Sequence, residues 1–69
     1  MDIRLKFGLR VKELRVERKL SQEALANLAG IDRTYIPGIE KGERNVSLVI
    51  AEKIANALEL ELHQLFIGL

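Results

Sequence analysis

The sequence predicts an all-α fold, a single domain of five helices covering residues 1–69. Three observations lead to this. Apolar residues recur three or four positions apart, as on one face of a helix. Asp2, Ser21, Asp32 and Ser47 each precede such a segment, where a helix N-cap is expected. No segment predicts a strand, and 69 residues suffice for one small domain.

Helices one, four and five form the predicted frame of the domain. The first runs from about Ile3 to Arg18, the fourth from Ser47 to about Leu58, and the fifth covers about residues 61–66. Helical spacing predicts the inward-facing residues of the first and fourth helices. They are Phe7, Val11 and Leu14, then Leu48, Ala51, Ile54, Ala55 and Leu58.

Residues 20–47 carry the most informative pattern, two short helices separated by one glycine. The second helix starts at Ser21 and ends at Gly30, which is free to enter the left-handed region. The third starts after Asp32, and small Ala26 lies where the two helices would cross. The pattern predicts a helix-turn-helix. Its apolar residues are Leu20, Ala24, Leu25, Leu28, Ala29, Ile31, Ile36 and Ile39.

Composition excludes several classes of function. The chain has no cysteine, so it has neither a disulfide framework nor a thiolate metal site. His63 is the only histidine, and no glycine-rich phosphate loop or metal-ligand spacing accompanies it. We therefore expect no enzymatic activity and no cofactor. No signal peptide or membrane-length apolar run is recognised, so we expect a cytoplasmic protein.

The net charge says little about the partner of the protein, and the distribution of charge along the chain says more. The net charge is only +1. Residues 1–44 hold ten Lys and Arg against seven Asp and Glu, whereas residues 45–69 hold one against three. The excess of positive charge on the helix-turn-helix half favours a nucleic-acid partner. Ordinary solvated faces would explain the same distribution equally well.

The C-terminal third has more apolar residues than one face of two short helices can bury. Small soluble monomers rarely leave such a patch open, which predicts a homodimer built on it. A fifth helix that closes the core of a monomer would use some of the same residues. The residues expected at the interface are Val49, Ile50, Leu62, Leu65, Phe66 and Ile67.

Over residues 7–66 the chain resembles the phage-repressor-like (Xre-type) helix-turn-helix family. The segments DRTYI, GIE and RN, within residues 32–45, look like the controller proteins of restriction–modification systems. The resemblance implies a transcriptional regulator that binds a pseudo-palindromic operator as a homodimer. The implied partners are double-stranded operator DNA, a second copy of the chain and RNA polymerase, with no membrane and no small-molecule ligand.

The resemblance also assigns roles to individual residues. Arg33 and Thr34 match positions that contact base edges, and an arginine at this point can bind guanine in bidentate fashion. Arg15 and Glu40 match a buried ion pair that ties the first helix to the third. For Ser47, a plain helix cap explains the residue as well as a phosphate contact does. The positions matched to phosphate contacts are Gln22, Tyr35, Arg44, Asn45 and Ser47.

Three residues depart from the family pattern. Pro37 replaces a residue that is usually serine, and as the fifth residue after Asp32 it is expected to bend the third helix. Gly38 leaves no side chain at a position that many relatives use for a base contact. Lys19 stands where many relatives have glycine.

A second class of function is a helical protein-interaction module of the same fold, such as an antitoxin. Such a module would not need Arg33, Thr34, Arg44 and Asn45 together on one face. Their joint presence favours DNA binding.

Overall fold

The computed structural model describes residues 2–69, and within them it holds four α-helices, one 3₁₀ helix and no strand. The all-α prediction is confirmed, and the count of five α-helices is wrong. The elements are α1 (Ile3–Glu17), α2 (Gln22–Ala29), α3 (Tyr35–Glu40), α4 (Leu48–Ala57) and the C-terminal 3₁₀ helix (Leu62–Phe66).

The last element is a 3₁₀ helix anchored by two leucines that are three residues apart. Side chains at positions i and i+3 eclipse in a 3₁₀ helix, so Leu62 and Leu65 fall on the same side. Leu65 is fully buried and Leu62 is half-buried. The Gln64 amide donates to the Glu61 carbonyl, and the Gln64 side chain accepts from the Glu61 amide, which closes the turn locally.

Side chains cap three of the helices as predicted. The Asp2 carboxylate accepts from the Arg4 amide, the Ser21 hydroxyl from the Ala24 amide and the Ser47 hydroxyl from the Ile50 amide. Each bond satisfies one of the amides that a helix start leaves without a partner. The starts of α1, α2 and α4 are therefore determined by local sequence.

The ends of three helices share one backbone conformation. Gly30 after α2 has φ +70°, as its position predicted, and Lys19 after α1 and Glu59 after α4 have φ +57° and +60°. At α1, the Leu20 amide donates to the Arg15 carbonyl, as in a Schellman motif. At α4 the Leu60 amide donates to the Ala55 carbonyl in the same way. Left-handed backbone disfavours residues with a Cβ, and at Lys19 and Glu59 it is accompanied by these hydrogen bonds that close the helix end.

One hydrophobic core joins all five elements. α1 packs on α3, α2 packs on both α3 and α4, and the 3₁₀ helix closes against α1 and α4. The Phe7 and Phe66 rings lie 5.8 Å apart between centroids at this closure. The largest fully buried side chains are Val11, Leu25, Ile36, Ile39, Ile54, Leu58 and Leu65.

Two residues predicted to face inward do not. Leu48 is 73% exposed, because it is the first residue of α4 and no element covers that end. Leu28 is 60% exposed, because α2 turns the side that carries Leu25, Ala26 and Ala29 to the core. At 3.6 residues per turn, Leu28 lies roughly 100° away from the centre of that side.

α1 and α3 cross at very short range. A Cβ at Gly8 would overlap the Ile39 carbonyl oxygen and would lie 3.0 Å from the Glu40 Cα. Nearby, a Cβ at Gly42 would lie 2.8 Å from the Leu5 Cα. Two glycines therefore allow α1 to press directly on the backbone of α3 and of the turn after it, which fixes the position of α3 on the surface.

Candidate nucleic-acid interface

The interface is organised around the start of α3, where Asp32 folds the preceding turn. Its carboxylate accepts from the Thr34 amide at 2.8 Å and from the Thr34 hydroxyl at 2.7 Å. These two bonds, the amide first, lower the pKa of Asp32 below its ordinary value. The regular helix begins at Tyr35, whose amide donates to the Asp32 carbonyl. Asp32 acts as a cap, but on a turn that precedes α3.

This later start corrects the prediction made for Pro37. The proline is the third residue of α3 and not an interior residue five positions along a helix. In the first turn of a helix the backbone amide has no intrahelical partner, so its absence removes no bond. The bend that we predicted at Pro37 therefore has no physical cause.

Arg33 and Thr34 lie on the turn just before α3, and both are exposed. The Arg33 side chain is 72% exposed, and its one ion pair, with Glu23, spans 3.7 Å between two exposed groups. Such a pair contributes little and leaves the guanidinium available. The Thr34 hydroxyl donates to Asp32, so its lone pairs and its methyl group remain for an external contact.

Arg44 folds back over α3 and stacks on Tyr35. Its guanidinium carbon lies 4.5 Å from the centroid of the Tyr35 ring, a cation–π arrangement. A Cβ at Gly38 would lie 3.1 Å from the Arg44 Nε, so the absence of a side chain at Gly38 makes room for the arginine. Sequence reasoning missed this relation, because residue 44 lies beyond the helix and no local pattern links it to residue 38.

Asn45 and Ser47 complete the same surface. With Tyr35 and Arg44 they border a depression of about 210 Å³ on the outer side of α3. Asn45 is exposed, and the Ser47 hydroxyl caps α4 while its own hydrogen stays free to donate. The structure thus brings four of the five residues matched to phosphate contacts into one cluster.

Gln22 and the Arg15–Glu40 pair form a second group at the start of α2. The Arg15 Nε and Nη2 atoms lie 2.7 and 3.0 Å from the two Glu40 oxygens, and this bidentate bond raises the pKa of Arg15. The Gln22 amide nitrogen donates to Glu40 Oε1 at 3.1 Å. Arg15 Nη1 also donates to the Leu20 carbonyl, just before α2 begins.

The structure divides the six residues expected at a dimer interface. Val49, Phe66 and Ile67 are exposed, and Ile50 and Leu62 are half-buried. Leu65 is fully buried, so its place in the interface was wrong: its side chain fills the monomer core. Ile3 and Leu48 were not assigned to this surface, but both are exposed and line a groove of about 180 Å³ with Phe66.

Residues 2–69 hold neither a metal-binding cluster nor a membrane span. No group of three or more His, Asp or Glu side chains there is arranged to hold a metal ion. No helix in that part of the chain has the length and apolar character needed to cross a membrane.

Comparison with known proteins matches the chain to helix-turn-helix proteins and to control proteins of restriction–modification systems. The helix-turn-helix family model matches residues 11–65. The control protein C.MunI of a Mycoplasma species is 50% identical over 66 residues, which cover 94% of this chain and 89% of that protein. The crystal structure of the restriction–modification controller C.AhdI from Aeromonas hydrophila has a TM-score of 0.89 and 54% identity, covering 91% of this chain and 96% of that one.

A third comparison concerns a complex with DNA. The restriction–modification controller C.Esp1396I, solved as a tetramer with its natural 35-base-pair operator, superposes with a TM-score of 0.87 at 35% identity. The match covers 96% of this chain and 87% of that one. On the fold, the site and these similarities, the chain belongs to the helix-turn-helix family of DNA-binding transcriptional regulators and is similar to the control proteins of restriction–modification systems.

Proposed function

We propose that this protein is the controller of a restriction–modification system and binds a pseudo-palindromic operator as a homodimer through α3. The observation that carries the proposal is the arrangement at the start of α3. Arg33 and Thr34 are exposed on the turn that leads directly into Tyr35, and Tyr35 is stacked by Arg44 and borders a depression with Asn45. Its basic residues suit the phosphate backbone, and its leading arginine suits a guanine edge in the major groove.

The proposal separates base contacts from phosphate contacts. Arg33 extends from the turn before α3 and is not held by a strong partner, so it can follow a base edge. Arg44 is fixed against Tyr35 and borders the depression with Asn45 and Ser47, an arrangement suited to a phosphate. Phosphate contacts position the protein and contribute equally on every sequence, whereas base contacts discriminate between sequences.

Two variants test this division. Arg33→Ala should weaken binding to a selected operator by about 1–3 kcal/mol and relax the preference at one base pair of each half-site. Arg44→Ala should weaken binding to all duplexes. The slope of log K against the logarithm of the salt concentration should become shallower by about one for each phosphate that is no longer neutralised. Lys12→Ala, an exposed cation of α1 outside the cluster, is the control. Equal effects of the Arg33 and Arg44 variants on operator and random DNA would contradict the division.

The dimer is proposed on apolar residues of α4, of the 3₁₀ helix and of the position after it, namely Val49, Ile50, Leu62, Phe66 and Ile67. A dimer of this kind would present two copies of α3 to half-sites about one helical turn apart, roughly 34–36 Å. Charge on this surface should prevent association without damaging the monomer core, because Ile67 is 59% exposed.

Sedimentation of Ile67→Asp tests the dimer. Leu28→Asp is a matched control, because Leu28 is 60% exposed and lies on α2, outside the proposed surface. We expect Ile67→Asp to be monomeric at concentrations where Leu28→Asp remains dimeric. A monomeric unmodified chain at high micromolar concentration would refute the dimer.

The regulatory context has its own test. A controller gene should lie beside genes for an endonuclease and a methyltransferase. An adjacent toxin gene would contradict the controller proposal and would favour an antitoxin.

A further inference from the structure

We propose that Glu40 is a positioning residue for DNA binding, because it holds the Gln22 side chain in place at the start of α2. The inference rests on the proposed function, since it takes Gln22 to face a phosphate. It goes beyond the role of Glu40 as the partner of Arg15. The ion pair with Arg15 ties α1 to α3, but it does not explain why the same carboxylate accepts a third hydrogen bond, from Gln22.

The contacts form a chain that leads from the core to the start of α2. Glu40 is 4% exposed in its side chain and Arg15 is 12% exposed. Glu40 Oε1 accepts from both Arg15 Nη2 and Gln22 Nε2, at 3.0 and 3.1 Å. Gln22 is half-buried and is the first residue of α2. It is therefore the point at which this buried network reaches the surface.

The amide of Gln22 keeps the capacity for an external contact. A side-chain amide has two N–H donors and a carbonyl acceptor, and Glu40 uses one donor. Gln22 is also the first residue of α2, where the first backbone amides lack intrahelical partners. A phosphate placed there would meet donors that are already oriented. Without the bond to Glu40, the side chain would lose rotamer freedom on binding.

The charge balance of the network permits this arrangement. An unpaired carboxylate next to a helix start would repel a phosphate, but Arg15 engages both Glu40 oxygens, so the group as a whole is neutral. Arg15 also donates to the Leu20 carbonyl, which holds the residue just before the Ser21 cap. The same pair therefore orients both the Gln22 side chain and the turn from which α2 starts.

A double-mutant cycle tests the coupling. The effect of Gln22→Ala is compared in the unmodified chain and in a second background that lacks Glu40. Removing Glu40 alone would leave Arg15 unpaired, so this background carries both Arg15→Met and Glu40→Met, which replace the buried pair by apolar side chains. Binding is measured to a duplex selected by the unmodified chain from a random pool, with folding verified at the assay temperature. In the unmodified background, Gln22→Ala should weaken binding by about tenfold, as expected for one hydrogen bond to a charged group.

In the paired-methionine background the same Gln22→Ala substitution should have no further effect, because Gln22 has already lost its orientation. Asn27→Ala, an exposed amide on the same helix, should leave binding unchanged in both backgrounds. An equal loss on Gln22→Ala in the two backgrounds, or no loss in the unmodified one, would overturn the inference while the proposed function stands. If no duplex is enriched, the proposed function fails and the inference fails with it.

A second measurement needs neither a variant nor DNA. Hydrogen exchange of the Gln22 side-chain amide, followed by NMR in the unmodified chain, should be several-fold slower than that of the exposed Asn27 amide. Exchange as fast as that of Asn27 would show that Glu40 does not hold Gln22 in solution, and would overturn the inference even if the methionine background failed to fold.

Discussion

Removing the Glu40 carboxylate should come close to unfolding this domain. Glu40→Ala takes three hydrogen bonds from the interior, two from Arg15 and one from Gln22. It leaves a guanidinium that is 12% exposed with only the Leu20 carbonyl as a partner. Breaking one side of a buried pair costs about 3–5 kcal/mol. A chain of this length has a total unfolding free energy of roughly 3–10 kcal/mol, so the loss is a large fraction of it.

Chemical denaturation at one fixed protein concentration measures this effect, since dimer formation would make the midpoint depend on concentration. Glu13→Ala is the control, because the Glu13 side chain is 63% exposed, and its pair with Arg10 at 2.9 Å should contribute less than about 1 kcal/mol. Arg15→Met with Glu40→Met should retain most of the stability, because neither charge is left unpaired. If the midpoint of Glu40→Ala shifted no more than that of Glu13→Ala, the pair would not be buried in solution.

Three further predictions concern the backbone. Gly8→Ala should prevent folding or lower the melting temperature severely, because its Cβ would overlap the backbone of α3; near-normal melting would show that the two helices do not touch there. Lys19→Gly should stabilise the domain by about 0.5–1 kcal/mol, because φ +57° strains a residue with a Cβ, whereas Lys12→Gly inside α1 should destabilise it by about 1 kcal/mol. A lower denaturation midpoint for Lys19→Gly than for the unmodified chain would contradict the predicted gain in stability. Pro37→Ser should destabilise the domain by about 0.4–1 kcal/mol by making the unfolded chain more flexible, and a gain in melting temperature would show that the proline is strained.

Local signals in the sequence predicted the starts of α1, α2 and α4 correctly. Asp2, Ser21 and Ser47 cap the helices that follow them, and Gly30 takes the left-handed conformation. Each of these features depends on contacts within three or four residues of the chain. A capping bond joins near neighbours in sequence and does not depend on what packs on the helix, so local sequence suffices to predict it.

The side of each short helix that faces the core was harder to predict, because it depends on which other elements pack on the helix. Leu48 and Leu28 have apolar spacing, but no neighbouring element covers them. Leu65 was placed on an outer surface and lies in the core. Periodicity identifies an apolar face and does not say which of its edges a neighbour will reach.

The amino-acid sequence by itself determined the all-α class, the helix-turn-helix and the caps of α1, α2 and α4, and it supplied the candidate residues of the interface. Only the tertiary structure decided which of those residues act together. Gly38 admits Arg44, Gly8 brings α1 onto α3, and Glu40 joins Arg15 to Gln22 across 25 and 18 residues of chain. The physical reason is range: caps and turns are satisfied by neighbours in sequence, whereas close packing and buried charge need partners that only the folded chain supplies.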